Sequence, residues 1–496
     1  MEDRHAYEKV RVNGAPAEAT LSTGTGGGGG PELRWRCAGG VTAERSLSLE
    51  ADVLGVEANG KEVVVRAFVA DAAAASCAAV GKRRREIRRR KDYVFEMAAG
   101  EGAAAAWGDT LRGCLDSFGR PKRLFVFVNP FGGKKRANKI YAAEIKPLFE
   151  AAGVQITTQE TKHRGHAREV ASSLDLGRYD GIVCVSGDGV LVEVVNGILQ
   201  RTDWKEAVKM PIGIVPAGTG NGMAKSLLHA AGETYSVSDA VFAIIRGRPI
   251  LSGTEMSQAV LGCLRHCARA GENFQRVVND LGFGGRYRYR IREIQALVRI
   301  MNLRRYCGSI HFVPAPGYEA YGEPVTQVDN IVERIEQNRE SPGPGPGFSQ
   351  GPSAELERSD WRFFDGPFVA VWINNVPWAA ESAMAAPEAK FSDGYMDVVI
   401  IRDCPKPDLL ALLLKMSDGS YVKSTYVTYL KVKSFRLSPG QLVENPRRGG
   451  VIDVDGEVIA RGEGTYGKDQ HEDLMTYGPS IQLTVHQALA TIFSPK

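Results

Sequence analysis

Three apolar runs in this chain each end in a glycine-rich turn, and a stretch with helical spacing follows each turn. The runs cover residues 124–128, 183–186 and 212–215. They are short and rich in Val, Ile, Leu and Phe, which is typical of buried strands. Parallel strands of one sheet share an edge at their C-terminal ends, so the turns that follow them lie side by side. We therefore predict a doubly wound α/β domain with three glycine turns along one edge.

The three turns contain the residue types that a phosphate site needs. From Asn129 the first reads Asn-Pro-Phe-Gly-Gly-Lys-Lys, from Ser186 the second reads Ser-Gly-Asp-Gly, and from Pro216 the third reads Pro-Ala-Gly-Thr-Gly-Asn-Gly. Glycine lets the backbone approach a phosphate closely, and a helix N-terminus offers free N–H donors. Taken alone, the second turn is equally well explained as a tight turn with Asp188 as a helix N-cap. Three such turns in succession predict a nucleotide site.

The three motifs resemble, in order, the conserved blocks of the diacylglycerol-kinase-type lipid kinases. The flanking sequence is most similar to that of the sphingosine (sphingoid long-chain base) kinases of the plant type. The resemblance extends from residue 119 to residue 493 and includes a late Val-Asp-Gly-Glu at 454–457. The chain lacks the P-loop pattern and the signatures of protein kinases.

The resemblance implies an ATP-dependent kinase that phosphorylates the primary hydroxyl of sphingosine, sphinganine or phytosphingosine. Phosphoryl transfer requires the γ-phosphoryl group to be held in line with the attacking oxygen while its charge is neutralised. We assign Asp188 as the general base and expect Mg²⁺ to bridge the phosphates, with no protein ligands assigned to the metal. The residues that the resemblance places around ATP are Asn129, Phe131, Gly132, Gly133, Lys134, Thr161, Ser186, Gly187, Gly189, Glu193, Gly218, Thr219, Gly220, Asn221, Arg286, Arg292, Asp455, Gly456 and Glu457.

Residues 257–290 depart from the family pattern. In sphingosine kinases the block after the third turn carries an Asp that pairs with the lipid ammonium and arginines that contact phosphate. Here Arg286 and Arg292 have the spacing of the phosphate arginines, and Asp280 is a poor match for the amine partner. A real variant and an error in the gene model both explain the departure. It leaves open a kinase for diacylglycerol or ceramide, or a catalytically silent lipid-binding homologue.

A tail and a small β-rich module are predicted before the α/β domain. Residues 1–31 contain low-complexity sequence and are predicted to be disordered. Residues 32–119 contain strand-like runs and end in a helical stretch, which resembles a pleckstrin-type module. The basic run at 82–91 within it would bind anionic lipid headgroups, act as a nuclear signal, or form a solvated loop.

The remainder of the chain divides into two predicted domains. The α/β nucleotide-binding domain is expected at 120–248, and an antiparallel β-sandwich lipid-binding domain at 249–496. A flexible insertion rich in Pro and Gly is predicted at 324–352. An apolar helix at 409–416 is either a core helix or the lining of an acyl-chain pocket.

Charge and cysteine content restrict the compartment and the partners. The net charge of +4 is mild for 496 residues and argues against a dedicated nucleic-acid binder. The eight cysteines are scattered, as expected of reduced thiols. No apolar run reaches the roughly 18 residues that a membrane span requires. We expect a cytoplasmic protein that associates peripherally with intracellular membranes and takes a sphingoid-base lipid as its partner.

Overall fold

The computed structural model describes most of the chain outside a long segment in its second half. Its described residues are 6–22, 30–37, 44–70, 88–132, 135–218, 220–247, 303–325, 360–391, 393–454, 457–463, 475–485 and 490–494. The divergent segment 257–290 and almost all of the insertion predicted at 324–352 lie outside them. Within the described part, no helix is both long and apolar enough to cross a membrane.

The N-terminal region is a seven-stranded antiparallel sheet followed by one helix. Its strands are β1 (Ala6–Val12), β2 (Ala15–Ser22), β3 (Glu32–Cys37), β4 (Arg45–Ser48), β5 (Val53–Asn59), β6 (Glu62–Ala70) and β7 (Arg88–Met97), and its helix is α1 (Glu101–Ser117). The strand order is β4-β3-β2-β1-β7-β6-β5. Trp35 and Trp107 pack on either side of Phe95, with ring centroids 5.6 and 5.2 Å from it. Strands closed by one C-terminal helix are the basis of the pleckstrin-like interpretation.

The prediction of a disordered tail at 1–31 is wrong for residues 6–22, which form β1 and β2. Ala17, Ala19 and Leu21 alternate with more exposed residues along β2, so this strand buries one face. The alternation is a strand signal. It was obscured because small alanines form the buried face and a glycine-rich stretch follows directly.

The central region is a parallel sheet between two layers of helices. Its strands are β8 (Arg123–Val128), β9 (Gln155–Glu160), β10 (Gly181–Ser186) and β11 (Ile212–Pro216), in the order β11-β10-β8-β9. Its helices are α2 (Ala137–Ile140), which continues through a π-helical turn (Tyr141–Ile145) into α3 (Lys146–Ala151), then α4 (His166–Ser173), α5 (Asp188–Leu199), α6 (Trp204–Ala207), α7 (Gly222–Ala230) and α8 (Val237–Arg246). Every residue of β10 and β11 is buried, as parallel strands covered on both faces require.

The C-terminal region is built from antiparallel sheets. Its strands are β12 (Tyr306–Pro314), β13 (Glu323–Pro324), β14 (Arg362–Asp365), β15 (Ala370–Asn374), β16 (Trp378–Ala380), β17 (Ala383–Met384), β18 (Met396–Ile401), β19 (Val427–Leu442), β20 (Val451–Val454), β21 (Glu457–Arg461), β22 (Met475–Thr476) and β23 (Ile481–Thr484). The main sheet has the order β13-β14-β12-β19-β18-β15, with β23 beside β19. Ile452 of β20 and Ala460 of β21 pack into the core of this main sheet, so the two sheets form a sandwich.

The apolar helix predicted at 409–416 corresponds to α9 (Lys406–Leu414). Leu409 and Leu412 are buried in one apolar cluster with Val399 and Ile401 of β18. Leu414, at the end of the helix, is 71% exposed. One face of α9 is therefore part of the core, as the first of the two interpretations expects.

Residues 490–494 return to the parallel sheet, although the sequence assigned them to the sandwich domain. The Ile212 N–H donates to Thr491 O at 3.0 Å, and the Phe493 N–H donates to Ile212 O at 3.0 Å. Ile492 thereby forms a parallel bridge with Ile212 at the free edge of β11. A domain boundary read from local patterns could not detect this pairing, because the two segments are almost 280 residues apart.

Candidate active site

The three glycine turns lie side by side and are joined by backbone hydrogen bonds. The Asn129 N–H donates to Val185 O at 3.2 Å, which ties the first turn to the strand of the second. The Ala217 N–H donates to Ser186 O at 3.0 Å, and the Asp188 N–H donates to Gly220 O at 2.9 Å. The turns follow β8, β10 and β11, which are adjacent and parallel. The structure therefore brings together the three motifs at one sheet edge.

Asn129 organises the first turn. Its Oδ1 accepts the N–H groups of Phe131 at 3.0 Å and Gly132 at 3.2 Å, and its Nδ2 donates to Ser186 Oγ at 3.3 Å. A side-chain amide that accepts from the next backbone groups replaces a turn hydrogen bond. The Phe131 ring is 61% exposed. The side chain of Asn129 is thus committed to shaping the turn and linking it to the second one.

Asp188 is the first residue of α5, and its carboxylate lies against the start of α7. The Gly222 N–H donates to Asp188 Oδ2 at 2.7 Å, and the Met223 N–H donates to Oδ1 at 3.3 Å. First-turn N–H groups have no partner within their own helix, so a carboxylate there completes their hydrogen bonding. The N-cap interpretation of Asp188 was therefore half right: the acid caps α7, the helix of the third turn. Its direction is fixed by the position of that helix.

Gly187 and Gly218 are in direct contact. A Cβ atom at Gly218 would lie 2.4 Å from Gly187 N, and one at Gly187 would lie 2.6 Å from Gly220 O. By contrast, no atom lies within 4 Å of a Cβ built at Gly189 or Gly220. The first two glycines are required for the turns to pack together. The other two leave the open space that a ligand approaching the backbone would need.

Asn221 carries an acceptor that the described residues leave unused. Its Nδ2 donates to Gly218 O at 2.9 Å, which sets the orientation of the amide. Its Oδ1 is buried and has no hydrogen-bond partner among the residues that the structure describes. A buried orphan acceptor at a turn edge indicates a missing ligand group. An acceptor suits a hydroxyl, a water molecule or a hard cation, and does not suit a phosphate oxygen.

Glu193 and Thr161 lie beside the turns in supporting positions. The two carboxylate oxygens of Glu193 accept the N–H groups of Gly165 at 3.0 Å and Ala167 at 3.1 Å, at the start of α4. Thr161 is buried, and its N–H donates to Val128 O at 2.9 Å, just before the first turn. Glu193 thus holds the loop that follows Thr161. Contact of either residue with the nucleotide stays a prediction.

The remaining predicted site residues are not placed by the structure. Their positions lie outside the described residues: Gly133, Lys134, Thr219, Asp280, Arg286, Arg292, Asp455 and Gly456. Glu457 begins β21, whose first pairing is with Val454 of β20. Only the backbone of Glu457 is described.

Trp378 and Tyr235 adjoin the site and were missed by sequence reasoning. A Cβ at Gly222 would lie 2.3 Å from Trp378 O, so β16 of the C-terminal region lies directly against the start of α7. Burial raises the pKa of the Tyr235 hydroxyl, and the negative charges of Glu381 and Asp188 add to the rise. No local pattern marked these residues, because their importance comes from a contact between distant segments.

No cluster of three or more His, Cys, Asp or Glu that could hold a metal ion occurs within the described ranges. The His163 and His166 rings are 5.0 Å apart, and His163 Nε2 lies 3.6 Å from a Glu169 carboxylate oxygen. Both histidines are on the loop and helix start that Glu193 caps. They have the surface setting that the sequence suggested for them.

The fold and the matched domains define the class of protein. Residues 123–250 match the diacylglycerol kinase catalytic domain, and residues 361–466 match the YegS C-terminal NAD kinase beta sandwich-like domain. A parallel sheet with three glycine turns, joined to a β-sandwich, is thus the architecture of a lipid kinase that uses ATP.

Curated relatives identify the family more narrowly. Sphingosine kinase 1 of Arabidopsis thaliana is 44% identical over 502 residues, covering 99% of this chain and 96% of that protein. Sphingosine kinase 2 of the same plant is 46% identical over 476 residues, covering 94% and 93%. Human Sphingosine kinase 1 is 30% identical over 360 residues, covering 68% and 87%. The chain belongs to the sphingosine kinase family, as the resemblance of its motifs implied.

Proposed function

We propose that this protein transfers the γ-phosphoryl group of ATP to the primary hydroxyl of a sphingoid long-chain base, giving the 1-phosphate. The observation that carries the proposal is the position of Asp188. Its carboxylate is held by two backbone N–H groups at the sheet edge where the three glycine turns meet. Relatives that are named sphingosine kinases and match nearly the whole chain support the choice of substrate.

Asp188 is proposed as the general base. The carboxylate accepts the hydroxyl proton while the hydroxyl oxygen forms a bond to the γ-phosphorus and the bond to the β,γ-bridging oxygen breaks, so that ADP leaves. General-base catalysis of this kind contributes about 10²- to 10⁴-fold. Because Gly222 and Met223 fix both carboxylate oxygens, the acid is oriented before the substrate binds. Positioning supplies much of the rate in phosphoryl transfer.

The nucleotide phosphates are proposed to lie over Gly132, Gly189 and Gly220, with the predicted contacts of Lys134 and Thr219 beside them. The open space at Gly189 and Gly220 supports this assignment. Mg²⁺, when bound, would neutralise phosphate charge. The oxygen donors that the described turn edge offers to it are the carboxylate of Asp188 and the orphan Oδ1 of Asn221, both of a type that Mg²⁺ prefers.

Recognition of the lipid is proposed to involve the C-terminal sandwich. Burial of the long chain would contribute about 0.8 kcal/mol per CH₂ group, which requires an apolar pocket. Contact of Asp280 with the ammonium, and of Arg286 and Arg292 with phosphate, remains a prediction from the resemblance. Diacylglycerol, ceramide and the silent homologue are less favoured, because the relatives that cover this chain most fully are sphingosine kinases.

Peripheral association with intracellular membranes from the cytoplasm is proposed from the nature of the substrate. The described end of the basic run gives this proposal little support. Arg88 is directed inward, where its Nη1 donates to Ala51 O at 3.1 Å and to Phe68 O at 3.2 Å. Arg90 pairs with Asp92 at 2.9 Å. These two arginines are engaged within the protein and do not form a lipid-binding surface together.

The test is phosphate incorporation by the purified full chain. The protein is incubated with labelled ATP and, separately, with sphingosine, phytosphingosine, diacylglycerol and ceramide. Asp188→Asn is compared with Asp203→Asn, which changes an exposed aspartate that pairs with Arg201 at the surface. We expect labelled sphingoid 1-phosphate from the wild type and from Asp203→Asn, and at least about 100-fold less from Asp188→Asn.

Two results would contradict the proposal. Label that enters diacylglycerol or ceramide in place of the sphingoid bases would reassign the substrate. Equal incorporation by the wild type and Asp188→Asn would remove Asp188 as the base.

A further inference from the structure

Helix α7 is buried on all sides over its first two turns. Every residue from Gly222 to Leu228 is buried, including a lysine and a serine. A helix on the surface of a domain normally buries one face and exposes the other. The face of α7 that turns away from the parallel sheet must therefore be covered by another part of the protein. That part is the segment around Trp378 in the C-terminal region.

Trp378 contacts α7 at successive turns. Its carbonyl oxygen lies against Gly222, its N–H donates to Ser226 Oγ at 3.0 Å, and its ring packs edge-on against His229 at 5.4 Å between centroids. Ser226 is fully buried. One residue of the sandwich domain is thus in contact with the whole length of the helix that follows the third glycine turn.

The buried lysine of α7 lies between two aromatic rings. Lys225 Nζ is 4.7 Å from the centroid of Trp378 and 4.9 Å from the centroid of Tyr235. Only 9% of Lys225 is exposed. An ammonium group within about 6 Å of a ring face is attracted by the ring quadrupole, and more strongly when water is excluded. Tyr235 follows α7 in the chain, whereas Trp378 comes from the other domain, so the lysine joins the two.

A lysine is an expensive choice for such a position if packing is its only role. Burying an ammonium group carries a desolvation penalty that a methionine of similar length would avoid. The aromatic faces offset part of this penalty only when both rings stay in place. The cation therefore favours one closed arrangement of the helix and the Trp378 segment.

The same helix fixes the proposed base. The N–H groups of Gly222 and Met223, one turn before Lys225, orient the carboxylate of Asp188. A small rotation or shift of α7 would move both donors, and misplacement by about 1 Å can cost about 100-fold in rate.

We propose that Lys225 is a positioning residue for phosphoryl transfer. Held between Tyr235 and Trp378, it fastens the sandwich domain to α7 and so keeps the Asp188 carboxylate aimed at the reacting hydroxyl. The inference rests on the proposed function in taking Asp188 as the base of that reaction.

The kinetic test compares Lys225→Met, which keeps the length and removes the charge, with Lys225→Arg, which keeps a cation that can stack on aromatic rings. Lys209→Met is the matched control, because Lys209 is exposed and pairs with Glu206 on the surface. We expect Lys225→Met to lower kcat for sphingosine by about 10- to 100-fold with KM for ATP changed less than about twofold. Lys225→Arg should recover most of the loss, and Lys209→Met should match the wild type.

A second variant covers the case in which Lys225→Met does not fold. Trp378→Leu removes the ring and keeps the backbone N–H that donates to Ser226. It should lower kcat as Lys225→Met does, and the double variant should fall little further than either single one, because both remove the same contact. Wild-type kcat in either single variant, or no recovery with arginine, would overturn the inference.

Amide hydrogen exchange separates this inference from the proposed function. The amides of Gly222 and Met223 report the hydrogen bonds to Asp188 without any turnover. In Lys225→Met they should exchange at least about tenfold faster than in the wild type, while amides of β10 stay unchanged. If the wild type phosphorylates no lipid, faster exchange still supports the coupling and only the proposed function fails. Unchanged exchange overturns the inference whatever the protein phosphorylates.

Discussion

At the scale of single residues, glycines in the same motifs have different physical roles. Gly187 and Gly218 are at the contact between two turns, where a side chain would overlap backbone atoms. Gly189 faces open space at the start of α5. The first kind of glycine is needed to assemble the sheet edge, and the second kind only to admit a ligand.

Substitutions by alanine should separate these two roles. Gly218→Ala places a methyl group 2.4 Å from Gly187 N, and the backbone cannot yield as a flexible side chain would. We expect a loss of about 1–3 kcal/mol in the free energy of unfolding, together with loss of activity. Gly189→Ala should keep or raise stability, because alanine suits a helix better than glycine. Its KM for ATP should rise if the turn contacts phosphate.

Urea unfolding and steady-state kinetics check this pair. A stable, fully active Gly218→Ala protein would show that the close approach of the two turns is dispensable. An unchanged KM for Gly189→Ala would remove that glycine from the nucleotide site.

Lys122 is another buried lysine, on the side of the parallel sheet that faces α8. Only 2% of Lys122 is exposed, and its Nζ donates to Ile245 O at 2.7 Å. Burial lowers its pKa to about 7, with the charge of Arg120 adding to the effect and Asp180 opposing it. In the unfolded chain a lysine keeps its proton to about pH 10.4. The two states therefore bind different numbers of protons between about pH 7 and pH 10.

This difference predicts how stability depends on pH. Above pH 7 the unfolded state binds more protons at Lys122 than the folded state, so this group makes the protein more stable as pH rises. Its contribution is at most about 1.4 kcal/mol per pH unit. Lys122→Met should remove that contribution. Urea unfolding of both proteins at pH 7, 8 and 9 measures it, and parallel pH profiles would show that Lys122 keeps its charge in the fold.

At the scale of secondary-structure elements, β18 and β19 are joined by a buried ionic group. Asp397 and Lys431 are direct partners in the register of the two strands. Lys431 Nζ lies 3.0 Å from Asp397 Oδ1 and 2.8 Å from Asp393 Oδ2, and the Tyr429 hydroxyl donates to Asp397 at 2.5 Å. Burial raises the pKa of Asp397 to about 6, although Lys431 and Tyr429 favour its charged form. The desolvation of the carboxylate is thus only partly offset.

Removing one member of this group should be worse than removing two. Lys431→Met leaves a buried carboxylate without its counter-ion, and we expect a loss of about 3–5 kcal/mol in the free energy of unfolding. In Lys431→Met combined with Asp397→Asn, the charge is removed as well, and much of the loss should be recovered. Chemical denaturation of the three proteins measures the difference. A double variant as unstable as the single one would show that shape and not charge determines this site.

At the scale of the whole molecule, the N-terminal sheet is packed tightly on the catalytic domain. Leu54 and Phe68 of the sheet belong to the same apolar cluster as Phe242 of α8. The buried Arg120 donates from Nη1 to Val53 O at 3.2 Å and from Nη2 to Arg246 O at 3.3 Å, so it bonds to both sides. An interface with shared core and buried charge-assisted hydrogen bonds favours cooperative unfolding over independent modules.

Gly55 offers a test of this interface far from the glycine turns. A Cβ there would lie 2.5 Å from Ala151 O of α3, so Gly55→Val should separate the two domains. We expect calorimetry to show two unfolding transitions in the variant where the wild type shows one. Gly102→Ala is the control, since no atom lies within 4 Å of its added methyl group and it lies in α1. A single transition in Gly55→Val at the wild-type temperature would mean that the interface adapts.

The sequence by itself determined the α/β class, the three turns at one edge and the kinase family. Each of these depends on local patterns: apolar runs of strand length, glycines in the turns and helical spacing after them. The position of the glycine turns follows directly, because parallel strands such as β8, β10 and β11 end at one edge.

Only the tertiary structure decided how the acid at 188 is held and what surrounds it. The helix that Asp188 caps, the contact of Trp378 with α7, and the return of residues 490–494 to β11 all join segments that are distant in the chain. Such contacts depend on how whole elements pack, and the residues that make them carry no periodic signal. For the same reason sequence patterns assigned Glu193 to the nucleotide, whereas packing uses its carboxylate to cap α4.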